Sequence, residues 1–225
     1  MRKTIIAPEE YYHVFNRGNN KKLMFLDNAD RVRFLSSVLL FQSPVVIKNI
    51  KRLAKLISVQ NSVLHIIEED LMKEIIATRF VELISFVLMP NHFHLLIREV
   101  KERGIERYMH RVQVSYSKYF NIKHENTGHH FQGQYKAVHV TDNDQLLYLS
   151  TYIHRNPREI NSWRNREHSY PWSSFQDYLS SNRWGDLIKP DIILGQFKSP
   201  SEYKIFVGRS MAKIFKSINQ GLLLD

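Results

Sequence analysis

Val81-Glu82-Leu83-Ile84-Ser85-Phe86-Val87-Leu88 runs directly into Met89-Pro90-Asn91-His92-Phe93-His94-Leu95-Leu96-Ile97. The first half is a nearly continuous apolar run, the composition of a strand inside a sheet. Pro90-Asn91 supplies turn chemistry. Beyond it the residues alternate, so His92 and His94 project from one face while Phe93, Leu95 and Ile97 project from the other. On a helix, positions two apart point roughly 200° away from each other and share no ligand. On a strand the two imidazoles can close on one cation.

Working outward, Tyr11-Tyr12-His13-Val14-Phe15 reads as a first strand ended by the turn-forming Asn16-Arg17-Gly18-Asn19-Asn20. Asp27 or Asn28 caps a helix with Val32, Phe34, Leu35, Val38, Leu39 and Leu40 as its apolar stripe. Residues 46–77 read as two helices in which Lys48, Lys51, Arg52 and Lys55 form a solvated face. A long basic helix starts near Ile105, with Arg107 and Arg111 as phosphate candidates against the default of a solvated face. Phe131 to Val140 reads as another strand. Thr141-Asp142-Asn143-Asp144 offers caps for a helix that Pro157 stops. Beyond about residue 161 the pattern is shorter and irregular. Strands interleaved with helices indicate an α+β class with an antiparallel sheet.

The chain has 225 residues, 43% of them hydrophobic, enough for one sizeable core. Lys+Arg 32 against Asp+Glu 22 gives +10, and aromatic content is 12%. That balance suits a polyanion with stackable bases, although charge alone is weak evidence. With no cysteine, disulfides, thiolate zinc sites and cysteine nucleophiles are excluded. No apolar run approaches the roughly 20 residues of a membrane span, so the expected setting is soluble and intracellular.

A bare His-x-His is a weak metal signal; most such pairs are incidental. Tyr148, Tyr152 and Asn156 are four apart and share one helix face, an unusual polar stripe for a core-facing helix. The ordinary reading is of half-buried tyrosines with wet hydroxyls, and of Asn156 as a helix C-terminal residue.

Four ordered motifs make the pattern specific: Tyr12-His13-Val14-Phe15-Asn16-Arg17-Gly18-Asn19, Met89 to Leu96, Gly128-His129-His130-Phe131-Gln132-Gly133-Gln134-Tyr135-Lys136, and Tyr152-Ile153-His154-Arg155-Asn156-Pro157. Together they resemble the REP-associated tyrosine transposases, a branch of the HUH single-tyrosine transposases of bacterial single-strand insertion sequences. Pro171-Trp172-Ser173-Ser174 and Tyr203 to Val207 resemble that branch's C-terminal extension. The resemblance implies a ferredoxin-like antiparallel sheet with helices on its faces. It assigns 1–160 to the catalytic domain, with a helical insertion near 43–80, and 161–225 to an extension packed on it.

The resemblance also implies roles. His92 and His94 match the metal-binding histidines, Asn156 the polar residue completing the metal site, and Tyr152 the nucleophile; Tyr148 is the runner-up. The implied cofactor is a divalent metal, magnesium or manganese. Asn16, Arg17 and Asn19 are implied DNA contacts, and Lys136 closes the third motif as a further one. His129 and His130 are read as exposed loop residues with DNA contact as the alternative. The implied activity is that of a metal-dependent single-stranded DNA endonuclease and strand transferase. It would act on hairpin-forming repeats through a 5′-phosphotyrosine, as monomer or homodimer, in the bacterial cytoplasm at the nucleoid.

The chain departs from the family pattern in three places. Phe93 stands where a small β-branched residue is usual, Gln134 where Arg is common, and the 43–80 segment is long. Two competing readings are a non-catalytic, host-retained hairpin-binding protein and a hydrolytic metalloenzyme for a small substrate. The second is disfavoured by the positive charge and by the lack of further clustered ligands.

Overall fold

A computed structural model describes residues 6–60 and 67–210. Among these, four strands form one antiparallel sheet in the order β2-β3-β1-β4: β1 (Tyr11–Arg17), β2 (Val81–Met89), β3 (His92–Glu99) and β4 (Lys136–Val140). Long connections carry α1 (Asn28–Leu40), α2 (Ile50–Gln60) and α3 (Glu69–Thr78) between β1 and β2, and α4 (Gly104–Lys123) between β3 and β4. β3 returns between β1 and β2, so the βαβ unit is split, as in the ferredoxin-like fold. After β4 come α5 (Asn143–Arg155), a series of 3₁₀ turns, and the short α6 (Phe175–Leu179), α7 (Asp191–Leu194) and α8 (Pro200–Arg209).

Both sheet faces are covered, which explains why β2 carries no clean alternation. On one face Tyr12, Val14, Phe86, Leu88, Phe93, Leu95 and Ile97 pack against α1 and α4. On the other, Ile84, Val87, Met89 and Leu96 pack against Leu149, Tyr152 and Ile153 of α5, joined by Tyr170, Phe175, Tyr178, Tyr203 and Val207. A register shift between Leu83 and Ser85 lets β2 exchange faces along its length. Phe93 sits in the α1 layer, its ring 5.0 Å from that of Phe34.

Capping follows the expected chemistry. Asp27 accepts from the Asp30 amide and Asp142 from the Gln145 amide, opening α1 and α5. At the start of α4 the buried Glu99 carboxylate accepts from the amides of Gly104 and Ile105 at 2.9 and 2.7 Å. Burial pushes that carboxyl's pKa up, and these amide bonds oppose the shift.

Three expectations change. β1 continues to Arg17, because Asn16 and Arg17 pair with Phe93 and His92 instead of forming the turn. The strand expected from Phe131 is paired only from Lys136. Phe131 makes a single bridge to Gly18, and Gly133 takes φ +67°, a conformation that leaves the ladder. His130 is not an exposed loop residue: it is buried among Tyr116, Phe120 and Phe131, whereas His129 is exposed. The two helices expected over 46–77 are present as α2 and α3, with Ala54, Ile57 and Ile75 in the core; residues 61–66 lie outside the described region. No helix among the described residues is long and apolar enough to cross a membrane.

A Cβ on Gly104 would stand 2.1 Å from the Phe80 carbonyl oxygen, a backbone atom with little room to retreat. Gly104→Ala should therefore lower unfolding free energy by about 1–3 kcal/mol, read by urea titration. Desolvation brings the His130 pKa down to about 4, against an ordinary value near 6.5. The unfolded chain takes up this proton first, so the stability linked to a neutral His130 is complete above about pH 6.5 and is lost as pH falls toward 4. The melting-temperature difference between about pH 7 and about pH 5 should shrink in His130→Phe.

Candidate active site

The face of β3 that carries His92 and His94 is the face covered by α5, and this is where the polar ring cluster forms. The register sets the two imidazoles differently. His94 lies between Phe15 of β1 and Val87 of β2, deep in the sheet, and is 1% exposed. His92 lies between Arg17 and Met89 at the hairpin end and is half-buried. Their ring centroids are 4.9 Å apart with planes at 81°. Tyr152, on the buried side of α5, presents a ring 5.3 Å from that of His94 at 82°. One chain thus brings together two imidazoles from β3 and a phenol from α5.

Each β3 imidazole has its Nδ1 engaged. His92 Nδ1 lies 2.7 Å from Asn91 Oδ1, and the Asn91 amide is oriented by Nδ2 donating to the Lys21 carbonyl. His94 Nδ1 lies 2.9 Å from Nε2 of His13. His13 is wholly buried on β1, and its ring also meets Tyr152 at 6.0 Å. Sequence reading quoted His13 inside a motif but gave it no role. Strand alternation carried the signal, since Tyr12 and Val14 face the α1 layer and His13 must face α5.

Asn156 caps the C-terminus of α5 and is buried, with Nδ2 donating to the Tyr152 carbonyl at 2.9 Å. The bond fixes the amide, so that Oδ1, the atom a cation would take, occupies the opposite branch. Among the described residues no three His, Asp or Glu side chains gather as a metal site. A cation here would therefore rest on two imidazoles completed by a neutral oxygen donor. In such a set the imidazole nitrogens favour manganese over magnesium. Tyr148, one turn earlier, is half-buried and burial raises its pKa, which opposes phenolate formation there.

The C-terminal turn of α5 is bolted to the segment after it. His154 has Nδ1 2.7 Å from the Tyr203 hydroxyl and Nε2 2.9 Å from Ser174 Oγ, and it stacks on Phe175. Ser174 Oγ also accepts from the Phe86 amide of β2. Arg155 donates to the carbonyls of Val207 and Gly208. Sheet, extension and helix are joined within one turn after Tyr152.

The basic candidates scatter. Asn16 is buried, donating to the Gly133 carbonyl and accepting from the Arg17 amide. Arg17 is the strand partner of His92. Asn19 gives its amide to the His130 carbonyl. Lys136 is exposed, opposite Phe15 on β1. Arg107 is exposed on α4, which packs on the sheet face away from the histidines. Arg111 donates to the Ser43 and Val45 carbonyls and lies over the Phe41 ring, so the structure gives it an internal occupation. Arg103, just before α4, pairs with Glu106, and Lys123 at its end pairs with Asp27 and Asp30.

Residues 51–156 match the family described as "Transposase IS200 like". This segment is similar to the IS200-like transposases. The match takes in β2, the His92–His94 strand, α4 and the Tyr152 helix. It starts inside the helical segment that the motif resemblance left out and does not include β1. No curated protein matches the chain. A solved structure of a REP-associated tyrosine transposase bound to a REP hairpin is similar in fold, with TM-score 0.52 and 10% sequence identity, over 85% of this chain and 92% of that one. The IS200-like segment thus holds the β3 histidines, Tyr152 and Asn156, while His13 and the brace from Ser174 and Tyr203 lie outside it.

His154→Leu keeps bulk but leaves Ser174 and Tyr203 with one buried partner fewer each. It should cost about 1–3 kcal/mol for each polar group left unsatisfied, measured as a shift in chemical denaturation midpoint.

Proposed function

We propose that the chain is a metal-dependent single-stranded DNA endonuclease and strand transferase, a transposase acting on hairpin-forming repeats with Tyr152 as nucleophile. The single observation carrying this reading is the edge-on approach of the Tyr152 ring to His94 at 5.3 Å within one chain. It allows the nucleophile and the metal ligands to come from the same subunit. The match of residues 51–156 to the IS200-like transposase family and the fold shared with a hairpin-bound transposase support it.

In this reading His92, His94 and Asn156 hold the divalent ion. When bound, such an ion neutralises charge on the scissile phosphate and polarises phosphorus. The remaining roles fall to the chain. Tyr152 Oη attacks phosphorus; the P–O bond to Tyr152 forms as the bond to the 3′ oxygen breaks. The phenol gives up one proton and the departing oxygen gains one, leaving a 5′-phosphotyrosine and a free 3′-hydroxyl. An incoming 3′-hydroxyl reverses these changes and rejoins a strand without ATP, because the phosphodiester energy is kept in the adduct. A phenol with an ordinary pKa of about 10 needs a nearby cation for this attack at neutral pH.

α5 places Tyr152, and the brace at His154 and Arg155 keeps the helix from tilting away from β3. For DNA, Arg17 beside His92, with Asn19 and Lys136, is the set nearest the histidine end of the sheet. Asn16 shapes the 131–135 loop, and Arg107 would serve a strand crossing α4. Unpaired bases offer stacking faces and exposed edges for recognition alongside hairpin shape. The protein would work on DNA in the bacterial cytoplasm.

Full-length chain, Mn²⁺ and a labelled single-stranded hairpin should yield a protein–DNA adduct that survives denaturing electrophoresis. Tyr152→Phe should abolish the adduct while leaving hairpin binding in place. Binding by the unaltered chain without any adduct would overturn the catalytic reading in favour of a hairpin-binding protein.

A further inference from the structure

We infer that His13 is a positioning residue that holds His94 in the tautomer able to ligate a cation. The inference rests on the metal-site reading above and adds to it a residue outside the matched family segment.

His13 is diagonal to His94 across the β1–β3 pair: His13 stands opposite Leu96, and His94 opposite Phe15. The rings stack at 5.0 Å with planes 27° apart, and the facing nitrogens are 2.9 Å apart. His13 is 0% exposed on the sheet face that α5 covers. Packing alone would be met by Leu or Phe without burying a polar ring. Two neutral imidazoles sharing one N–H···N bond have coupled tautomers. If His13 donates, His94 carries its own hydrogen on Nε2 and that nitrogen cannot bind a metal. If His94 donates from Nδ1, its Nε2 carries a lone pair and His13 is protonated on Nδ1.

His92 shows which alternative matches the site. Its Nδ1 faces the Asn91 side-chain amide oxygen Oδ1, which only accepts, so this hydrogen bond requires a proton on His92 Nδ1 and leaves Nε2 as the nitrogen that would ligate. With His13 as acceptor, His94 presents the same nitrogen. A side-chain acceptor behind each ligand is the usual way a protein fixes imidazole orientation at a metal. What sets His13 apart is that the acceptor is itself an imidazole, carried on the neighbouring strand.

The test is Mn²⁺ titration followed by electron paramagnetic resonance on the full chain, with far-UV circular dichroism melts for each variant. His13→Phe, which fills the ring's space without an acceptor, should weaken Mn²⁺ binding about 10–100-fold. His13→Gln, whose amide oxygen reaches a similar position, should bind close to the unaltered chain. In the unaltered metal-free protein, ¹⁵N spectra should place the His94 proton on Nδ1, a readout that needs no folded variant. Two results overturn the inference alone: a His94 proton on Nε2, or unchanged Mn²⁺ affinity in His13→Phe while His94→Ala abolishes binding. Unchanged affinity in His94→Ala would instead overturn the metal site itself, and this inference with it.

Discussion

The antiparallel pairing of β1 with β3 at the centre of the sheet governs the site, because side chains on a strand alternate and a slip of one residue would send every one of them to the other layer. In the observed register Phe15 opposes His94 and Arg17 opposes His92. That sends His13 and His94 toward α5 while Tyr12, Val14, Phe93 and Leu95 enter the other layer. The aromatic cluster of Phe34, Phe93, Tyr116 and Phe131 holds the register from the far side. A packed apolar layer on one face thus determines the geometry of a polar cluster on the other.

The second layer has a different character. α5 contributes Leu146, Leu149 and Ile153 to its own interface, yet much of the surrounding core comes from the chain after it, through Tyr170, Phe175, Tyr178, Tyr203 and Val207. Two of these tyrosines anchor their hydroxyls on the sheet: Tyr170 donates to the Leu88 carbonyl and Tyr178 to that of Ile84. Large rings bury apolar area while their hydroxyls stay satisfied, which suits a layer that must be both rigid and polar near its centre. The extension also covers the outer edge of β2, through Trp172, Ser174 and Lys189. That edge is closed to pairing with another chain.

Much of this was legible from residue pattern. The hairpin at Pro90-Asn91, the caps at Asp27 and Asp142, and the stop at Pro157 each follow from local chemistry that tertiary contacts did not override. What was hidden depends on contacts distant in sequence. Phe131 to Tyr135 has strand-like residues, but the left-handed backbone at Gly133 removes it from the ladder. His130 follows a glycine and looks solvent-bound until Tyr116 and Phe120 of α4 are seen around it. Arg111 looks like a phosphate ligand on a basic helix, and only the arriving carbonyls of Ser43 and Val45 reveal its occupation. His13 was visible as a letter in a motif, but its partner lies across the sheet.

The brace on α5 has a bearing on how such a chain is made. His154 is translated before Ser174 and Tyr203, the two groups that hold its ring. A nascent polypeptide still emerging from the ribosome therefore owns the phenol and both β3 imidazoles without the struts that set their spacing. Order of synthesis itself delays the seating of the Tyr152 ring against His94 until those struts have emerged.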